Sequence, residues 1–423
     1  MNEFNKIIGY EEIKEELYQA IDMIKNYDKY EEIGAKMPTG ILLDGDPGLG
    51  KTLMANAFIK ESGLRGFVLR KNTDKTNFIK KITMVFNDAM KNAPSIILLD
   101  DMDKFANDDS LHRDSEELVT LQACIDNAKG RGVFIIATTN SMDDLPDSLT
   151  RPGRFDKIIK VYKPKRKEAC KIIKYYLKDK KVAKDINYDD VCNMMTFTSC
   201  ATLEGIINEA AIYAAYDNKS EIDIEDIKKA VLRDIYHSPE SFKNDDPEAM
   251  RMVARHEAGH AVVAEILNPC SVGLISIQNR CDRNQSGITH MCESSNRRPI
   301  EVAIGLGGKV ACEMYEGGKV ASGCGYDLRR VAHTIGDGIV YNSTLGYSFI
   351  SSYVCDPSWL NETKLEIAVS VEMEKAELKV KEILIKNKEF LEKLIDELVE
   401  KQTLLYSDIQ RIRNTCNIIN VEI

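Results

Sequence analysis

The sequence predicts two folds in series, an α/β domain of alternating strands and helices followed by a mainly α-helical domain. Three observations carry this. Short apolar runs at 41–43, 95–99 and 133–137 alternate with helical patterns over the first 160 residues. A glycine-rich loop ending in Lys51-Thr52 follows the first of those runs. Beyond residue 250, Arg255-His256-Glu257-Ala258-Gly259-His260 opens an apolar helical stretch, and the pattern stays mostly helical to the end.

At 423 residues the chain has room for two or three domains, each with its own core. The apolar share of 43% and charged share of 29% are those of a globular protein. A net charge of −10 argues against nucleic acid or an anionic membrane surface as the main partner. Eleven cysteines occur without a CxxC pair, and the odd count fits reduced thiols in a cytosolic compartment rather than a disulfide framework. The N-terminus lacks a signal pattern and no apolar run reaches about 18 residues. As written, the chain is expected to be cytoplasmic and to cross no membrane.

Taken in order, Ile13, Leu17, Ala20, Ile21 and Ile24 recur at helical spacing, and Lys36-Met37-Pro38-Thr39-Gly40 breaks that helix ahead of strand Ile41-Leu42-Leu43. Gly45-Asp46-Pro47-Gly48-Leu49-Gly50-Lys51-Thr52 comes next, then a helical pattern through Leu53, Ala57 and Phe58. This is the phosphate loop of an ATP site in its required strand-to-helix context. Backbone N–H groups wrap the phosphates, the helix N-terminus favours their charge, Lys51 reaches the β and γ phosphates, and Thr52 offers a hydroxyl to Mg²⁺. A merely structural glycine turn would not need all of these features together.

The second strand, Ser95-Ile96-Ile97-Leu98-Leu99, ends in Asp100-Asp101. Asp100 is placed to hold Mg²⁺, while Asp101 either polarises the attacking water or starts a turn. Strand Val133-Phe134-Ile135-Ile136-Ala137 ends in Thr138-Thr139-Asn140, bringing an amide near the γ-phosphate. Arg151 and Arg154 follow on Leu149-Thr150-Arg151-Pro152-Gly153-Arg154-Phe155-Asp156. Alone, such a pair reads more readily as surface charge.

Helical patterns resume after Pro164, through Ala169, Ile172, Ile173, Tyr176 and Leu177, and again from Asp185. The polar stretch from His237 to Pro247 reads as a linker, with a boundary near 240. In a helix from about Glu248 to Leu267, His256 and His260 leave one face and can close on a Zn²⁺, with Glu257 beside them to take a proton from water. An amphipathic helix with two incidental histidines is the plain alternative. Strands are expected at Gly273–Ile277 and around Gly287, then a helix from Glu301 to Tyr315 whose Gly307-Gly308 suggests close packing on another helix. Asp327, taken alone, is a helix N-cap. His290, His333 and Cys324 are competing metal donors. Asn361 to Leu405 reads as two helices, with a long charged coiled coil as the alternative.

Together these motifs resemble the FtsH-type AAA metalloprotease family of AAA+ ATPases. The phosphate loop, the acidic strand end, Ala137-Thr138-Thr139-Asn140 and Arg151-Pro152-Gly153-Arg154-Phe155-Asp156 occur in the family's order. The resemblance implies an α/β P-loop AAA+ core at 1–160, a helical lid at 161–237, a linker at 238–247 and a zinc metallopeptidase domain at 248–423. It makes Asp101 catalytic, Asn140 the sensor of the γ-phosphate, and Arg151 and Arg154 fingers that reach a neighbouring subunit's ATP. It also implies a homo-hexameric ring acting on protein or peptide substrates. The family's metal-binding Asp lies in a Gly-containing loop that opens a helix, and Asp327 falls on that position. His256, His260 and Asp327 then leave a fourth zinc position for water.

Four departures qualify the resemblance. The family's N-terminal transmembrane region is missing here, so the chain is expected to be a soluble member or a fragment. Asp101 stands where relatives carry Glu. Asn72-Thr73-Asp74-Lys75-Thr76-Asn77-Phe78 replaces an aromatic pore loop, with Phe78 as a displaced substitute. Cys200-Ala201-Thr202 replaces the Gly-Ala-Asp that meets the base. The leading reading is an ATP-dependent zinc metalloendopeptidase. The alternative is a nucleotide-switched binding or remodelling ring with a slow motor and an ATP-independent or vestigial peptidase.

Overall fold

A computed structural model describes residues 3–71, 75–106, 115–151, 153–238, 246–279, 286–293, 295, 297–315, 317, 324–342 and 359–423. Asn72–Asp74, Pro152, residues 239–245 of the expected linker and Ser322–Gly323 lie outside the described residues. The chain forms two compact units, Met1–Lys178 with Phe197–Gly205, and Asp179–Thr196 with Ile206–Ile423.

The first unit runs α1 (Glu11–Lys25), α2 (Tyr27–Glu31), β1 (Gly40–Asp44), α3 (Lys51–Ser62), β2 (Arg65–Arg70), α4 (Lys75–Lys91), β3 (Ser95–Asp100), α5 (Ser115–Ala128), β4 (Val133–Thr139), α6 (Asp147–Thr150), β5 (Lys157–Lys160) and α7 (Arg166–Leu177). All strands pair in parallel in the order β2-β3-β4-β1-β5. The three inner strands are apolar on both faces, as a covered parallel sheet requires. Ile41, Leu43, Ile96, Leu98, Phe134 and Ile136 pack with Leu17 of α1 and Phe58 of α3. The alternate residues Leu42, Ile97, Leu99, Ile135 and Ala137 pack with Phe86 of α4 and Ile125 of α5 on the other face. β2 and β5 escape sequence reading because they are largely exposed edge strands carrying Arg65, Arg70, Lys157 and Lys160. The phosphate loop, Asp100 and Asn140 all follow or end strands at the sheet's carboxyl edge, where open α/β sheets bind ligands.

Phe78 is not an exposed substitute for a pore aromatic. It is fully buried on the inward face of α4, with its ring 5.1 Å from that of Phe105. A residue already packed in the core has no surface left with which to grip a substrate.

The second unit contains α8 (Tyr188–Met194), most of α9 (Cys200–Tyr216), α10 (Ile224–Asp234), α11 (Pro247–Leu267), β6 (Val272–Asn279), β7 (Ser286–Met291), α12 (Arg298–Tyr315), α13 (Gly325–Asn342), α14 (Trp359–Lys386), α15 (Lys388–Lys401), β8 (Thr403–Leu405) and α16 (Tyr406–Asn414). Its antiparallel sheet has the order β7-β6-β8. These units cut across the expected 161–237 lid. α8 belongs with the second unit because the buried carboxylate of Asp190 accepts bonds of 2.7 Å from both the N–H and the hydroxyl of Ser407. The start of α9 belongs with the first, where Ala201 N–H donates to Gly48 O at 3.0 Å.

α11 starts sharply because Asp246 accepts from Glu248 N–H and Pro247 occupies the first turn. The close packing expected of Gly307-Gly308 is there. A Cβ on Gly307 would lie 2.6 Å from Gly259 O, so α11 and α12 meet backbone to backbone. The 361–405 stretch does form two helices. They break at Asn387, whose side-chain amide donates to Ile383 O and Ile419 O at 2.9 and 3.0 Å and accepts from Ile419 N–H at 2.9 Å. Its last residues are strand rather than helix, since Leu404 and Leu405 pair with Ile275 and Leu274 of β6. α15 buries Phe390, Leu391, Leu394 and Leu398 in the unit's core instead of a coiled-coil seam. No helix among the described residues is long and apolar enough to cross a membrane.

Candidate functional site

α11 puts His256 and His260 one turn apart on one face, and the first turn of α13 brings Asp327 to them. His256 Nε2 lies 3.1 Å from His260 Nε2 and 3.2 Å from Asp327 Oδ2, and His260 Nε2 lies 3.5 Å from Asp327 Oδ2. Zinc bonds of about 2.0–2.1 Å in a tetrahedron separate neighbouring donors by about 3.3–3.4 Å. The three atoms therefore form one face of such a tetrahedron, and two imidazoles with a carboxylate are a donor set zinc favours. Among the described residues this is the one group of His, Cys, Asp and Glu so placed.

The surroundings fix the rings. His260 Nδ1 is 2.6 Å from Ile304 O, so it carries the proton and leaves Nε2 free for a metal. Gly308 makes room for both imidazoles, since a Cβ there would come within 2.5 Å of His256 Nδ1 and His260 Nε2. Burial acts to raise the pKa of Asp327, but His256 and His260 outweigh it and hold the carboxyl well below its usual range. Burial likewise opposes charge on His260, while Asp327 and Glu257 raise its pKa.

Glu257 is buried beside the two histidines, and that burial raises its pKa. Thr289 Oγ1 on β7 is 2.6 Å from Glu257 Oε2, and Gly287 leaves no Cβ against the same carboxylate. The competing donors stand elsewhere. His290 is half-buried on β7 with Nε2 2.9 Å from Thr196 Oγ1, and His333 is exposed beside Asp337. Cys324 faces the far nitrogen of His256, with Sγ 3.7 Å from Nδ1.

The nucleotide loop has the backbone its motif requires, with positive φ at Gly48 and Gly50 and the side chain of Leu49 anchored in the core. Asp46 and Pro47 are exposed, and Gly45 runs against Val161 O. Lys51 Nζ donates to Gly45 O, Asp46 O and Asn140 Oδ1 at 2.6, 2.8 and 2.9 Å, at the place phosphate oxygens would take. Thr52 Oγ1 is 2.8 Å from Asp100 Oδ1, which brings the two Mg²⁺ candidates together.

Asp101 is differently placed. Its backbone is left-handed, at φ 55°, and its Oδ2 lies 3.1 Å from Arg70 and 2.6 Å from Lys104. Burial acts to raise its pKa, but Lys104 and then Arg70 lower it overall. The two arginines also differ. Arg151 is exposed, whereas Arg154 is held by Asp126 at 2.7 and 3.2 Å and by Ser148 O at 2.8 Å.

Several contributors carry no local sequence signal. Thr289, Gly287 and the carbonyl of Ile304 reach the metal site from separate elements, and Thr138 bridges Asp100 and the N–H of Asp101 at 3.0 and 2.9 Å. Only Gly308 had a signal, as half of a Gly-Gly pair in a helical pattern.

Residues 41–163 match the ATPase family associated with various cellular activities (AAA), and residues 244–412 match peptidase family M41. A Helicobacter felis protein named ATP-dependent zinc metalloprotease FtsH is 29% identical over 97% of this chain and 69% of its own length. The Mycoplasma genitalium protein of that name is 32% identical over 97% of this chain and 63% of its own. A chloroplastic Arabidopsis thaliana relative, ATP-dependent zinc metalloprotease FTSH 5, is 31% identical over 95% and 62%.

Proposed function

The chain belongs to the FtsH-type AAA+ ATP-dependent zinc metalloproteases, and from that premise we propose how its own residues divide the work. The observation that carries the reading is the convergence of His256 Nε2, His260 Nε2 and Asp327 Oδ2 within 3.1–3.5 Å, with Glu257 buried alongside.

When bound, zinc supplies Lewis acidity that acidifies water and polarises a peptide carbonyl. His256, His260 and Asp327 would hold it. Glu257 takes the proton from the attacking water and returns it to the departing amine, and its buried setting keeps that proton from bulk solvent. Thr289 fixes the carboxylate for this task. Among the described residues β7 is an outer strand of its sheet and carries both Thr289 and Gly287, so its outer edge suits an extended peptide. Cleavage of an extended segment is endopeptidase chemistry on protein or peptide substrates.

On the nucleotide side, Lys51 exchanges its present acceptors for phosphate oxygens, and Thr52 and Asp100 hold Mg²⁺. Asn140 then loses its contact with Lys51 and becomes free to report the γ-phosphate. The exposed Arg151 is the finger for a neighbouring subunit, which requires a head-to-tail ring, and the reading is a homo-hexamer. Asp101 polarises water weakly, being one methylene shorter than Glu and tied to Arg70 and Lys104. This supports a slow motor driving a competent peptidase.

The test measures peptide cleavage and ATP turnover together. Glu257→Gln is expected to lower cleavage by about 10²–10⁴-fold with ATP turnover kept, and Lys51→Ala to remove ATP turnover and cleavage of folded protein. Wild-type proteolysis by the Glu257→Gln protein sinks the assignment.

A further inference from the structure

The metal ligands need their outer nitrogens satisfied as much as their inner ones. A histidine that binds metal through Nε2 carries its proton on Nδ1, and a fixed acceptor for that proton sets the tautomer and the ring's orientation. For His260 the acceptor is Ile304 O, at 2.6 Å. For His256 the neighbour is a thiol, with Cys324 Sγ 3.7 Å from Nδ1. The other hydrogen-bonding contacts of His256, to His260 and Asp327, both fall on Nε2.

We propose that Cys324 is a positioning residue of the metal centre, its sulfur accepting the Nδ1–H of His256 and so holding Nε2 towards the metal. The inference rests on the zinc reading above. Three features support it. Cys324 is buried, at 1% exposure, so no water competes for the Nδ1 proton from that side. It precedes Asp327 by three residues, immediately before α13, so one short stretch supplies both a ligand and the support for another. Gly308 of α12 adjoins the same edge of the ring, since a Cβ there would come within 2.5 Å of His256 Nδ1, so backbone and thiol together leave Nδ1 little room to turn. The sulfur faces Nδ1 and is not one of the donor atoms that gather within 4.8 Å of one another, which separates support from ligation.

The test uses the full chain under reducing conditions, with zinc affinity measured by competition against a chromophoric chelator. Cys324→Ala is expected to weaken zinc binding by about 10–100-fold, the usual effect of losing an outer partner, and Cys324→Ser, which keeps an acceptor, to recover most of it. The cobalt-substituted wild type is expected to show tetrahedral d–d bands without a sulfur-to-cobalt charge-transfer band. Equal zinc affinity in wild type and Cys324→Ala overturns the proposal. So does equal loss in the Ala and Ser variants, which indicates packing, or a charge-transfer band, which indicates direct ligation. A wild type that binds no zinc at all overturns the metal centre itself.

Discussion

Gly308→Ala is the sharpest perturbation of the peptidase half, because it adds one methyl group to the inside of the ligand cluster. The new Cβ would lie 2.5 Å from His256 Cε1, His256 Nδ1 and His260 Nε2. Ordinary contacts are about 3.5–4.0 Å, so something must retreat by about 1 Å. Retreat of α12 would open its backbone-to-backbone contact with α11 at Gly307 and Gly259 and disturb the core that Val302, Leu306 and Val310 help to form. The imidazoles must give way, and the donor atoms His256 Nε2, His260 Nε2 and Asp327 Oδ2 lie only 3.1–3.5 Å apart. Overpacking of this kind costs about 1–3 kcal/mol, and a misplacement of about 1 Å at a reacting centre costs on the order of 100-fold in rate. Zinc content and cleavage of an unstructured peptide are the readouts. Gly336→Ala on α13 is the control, because its Cβ meets nothing nearer than Val369 Cγ2 at 3.9 Å and is expected to be neutral or stabilising by up to about 1 kcal/mol. A Gly308→Ala protein that binds zinc and cleaves peptide like the wild type refutes the reasoning.

Two further outcomes follow from groups outside the metal cluster. Burial lowers the pKa of His290 from 6.5 to about 4, so the unfolded chain takes up a proton in that window that the folded chain refuses. Stability contributed by neutral His290 is complete above about pH 6.5 and falls as pH drops towards 4, by about 2 kcal/mol between pH 7 and 5. Denaturation at the two pH values should show that loss in the wild type and a smaller one in His290→Gln; identical slopes would contradict it. The arginines should also separate. Arg151→Ala is expected to cut ATP turnover by about 10³-fold with nucleotide affinity kept, as for a finger acting in trans. Arg154 depresses the pKa of Asp126 to about 2, with Lys129 assisting, which marks a standing ion pair within the chain. Asp126→Asn should release Arg154 and leave Arg151 untouched. A smaller effect from Arg151→Ala than from Arg154→Ala would reverse these roles.

Sequence alone determined everything that depends on spacing along one element. Gly45 to Thr52 had to be a loop between strand and helix, because only that context lets backbone N–H groups and Lys51 serve the same phosphates. His256 and His260 had to share a helix face, because residues four apart lie one turn above each other. Central strands β1, β3 and β4 were legible as unbroken apolar runs, while β2 and β5 were not, since an edge strand need not be apolar. Tertiary structure decided what depends on chains that meet from far apart. Asp327 could be placed at the metal only by resemblance, because its 67-residue separation from His260 carries no period to read. Phe78 looked available in sequence and is consumed by the core, and Asp101, read there as a water-polarising carboxylate or a turn residue, is tied to Arg70 and Lys104. Thr289, Ile304 and Cys324 became parts of the metal site only when β7, α12 and α13 closed on α11. A hydrogen bond depends on distance in space, and residue spacing fixes that distance only within a single helix or strand.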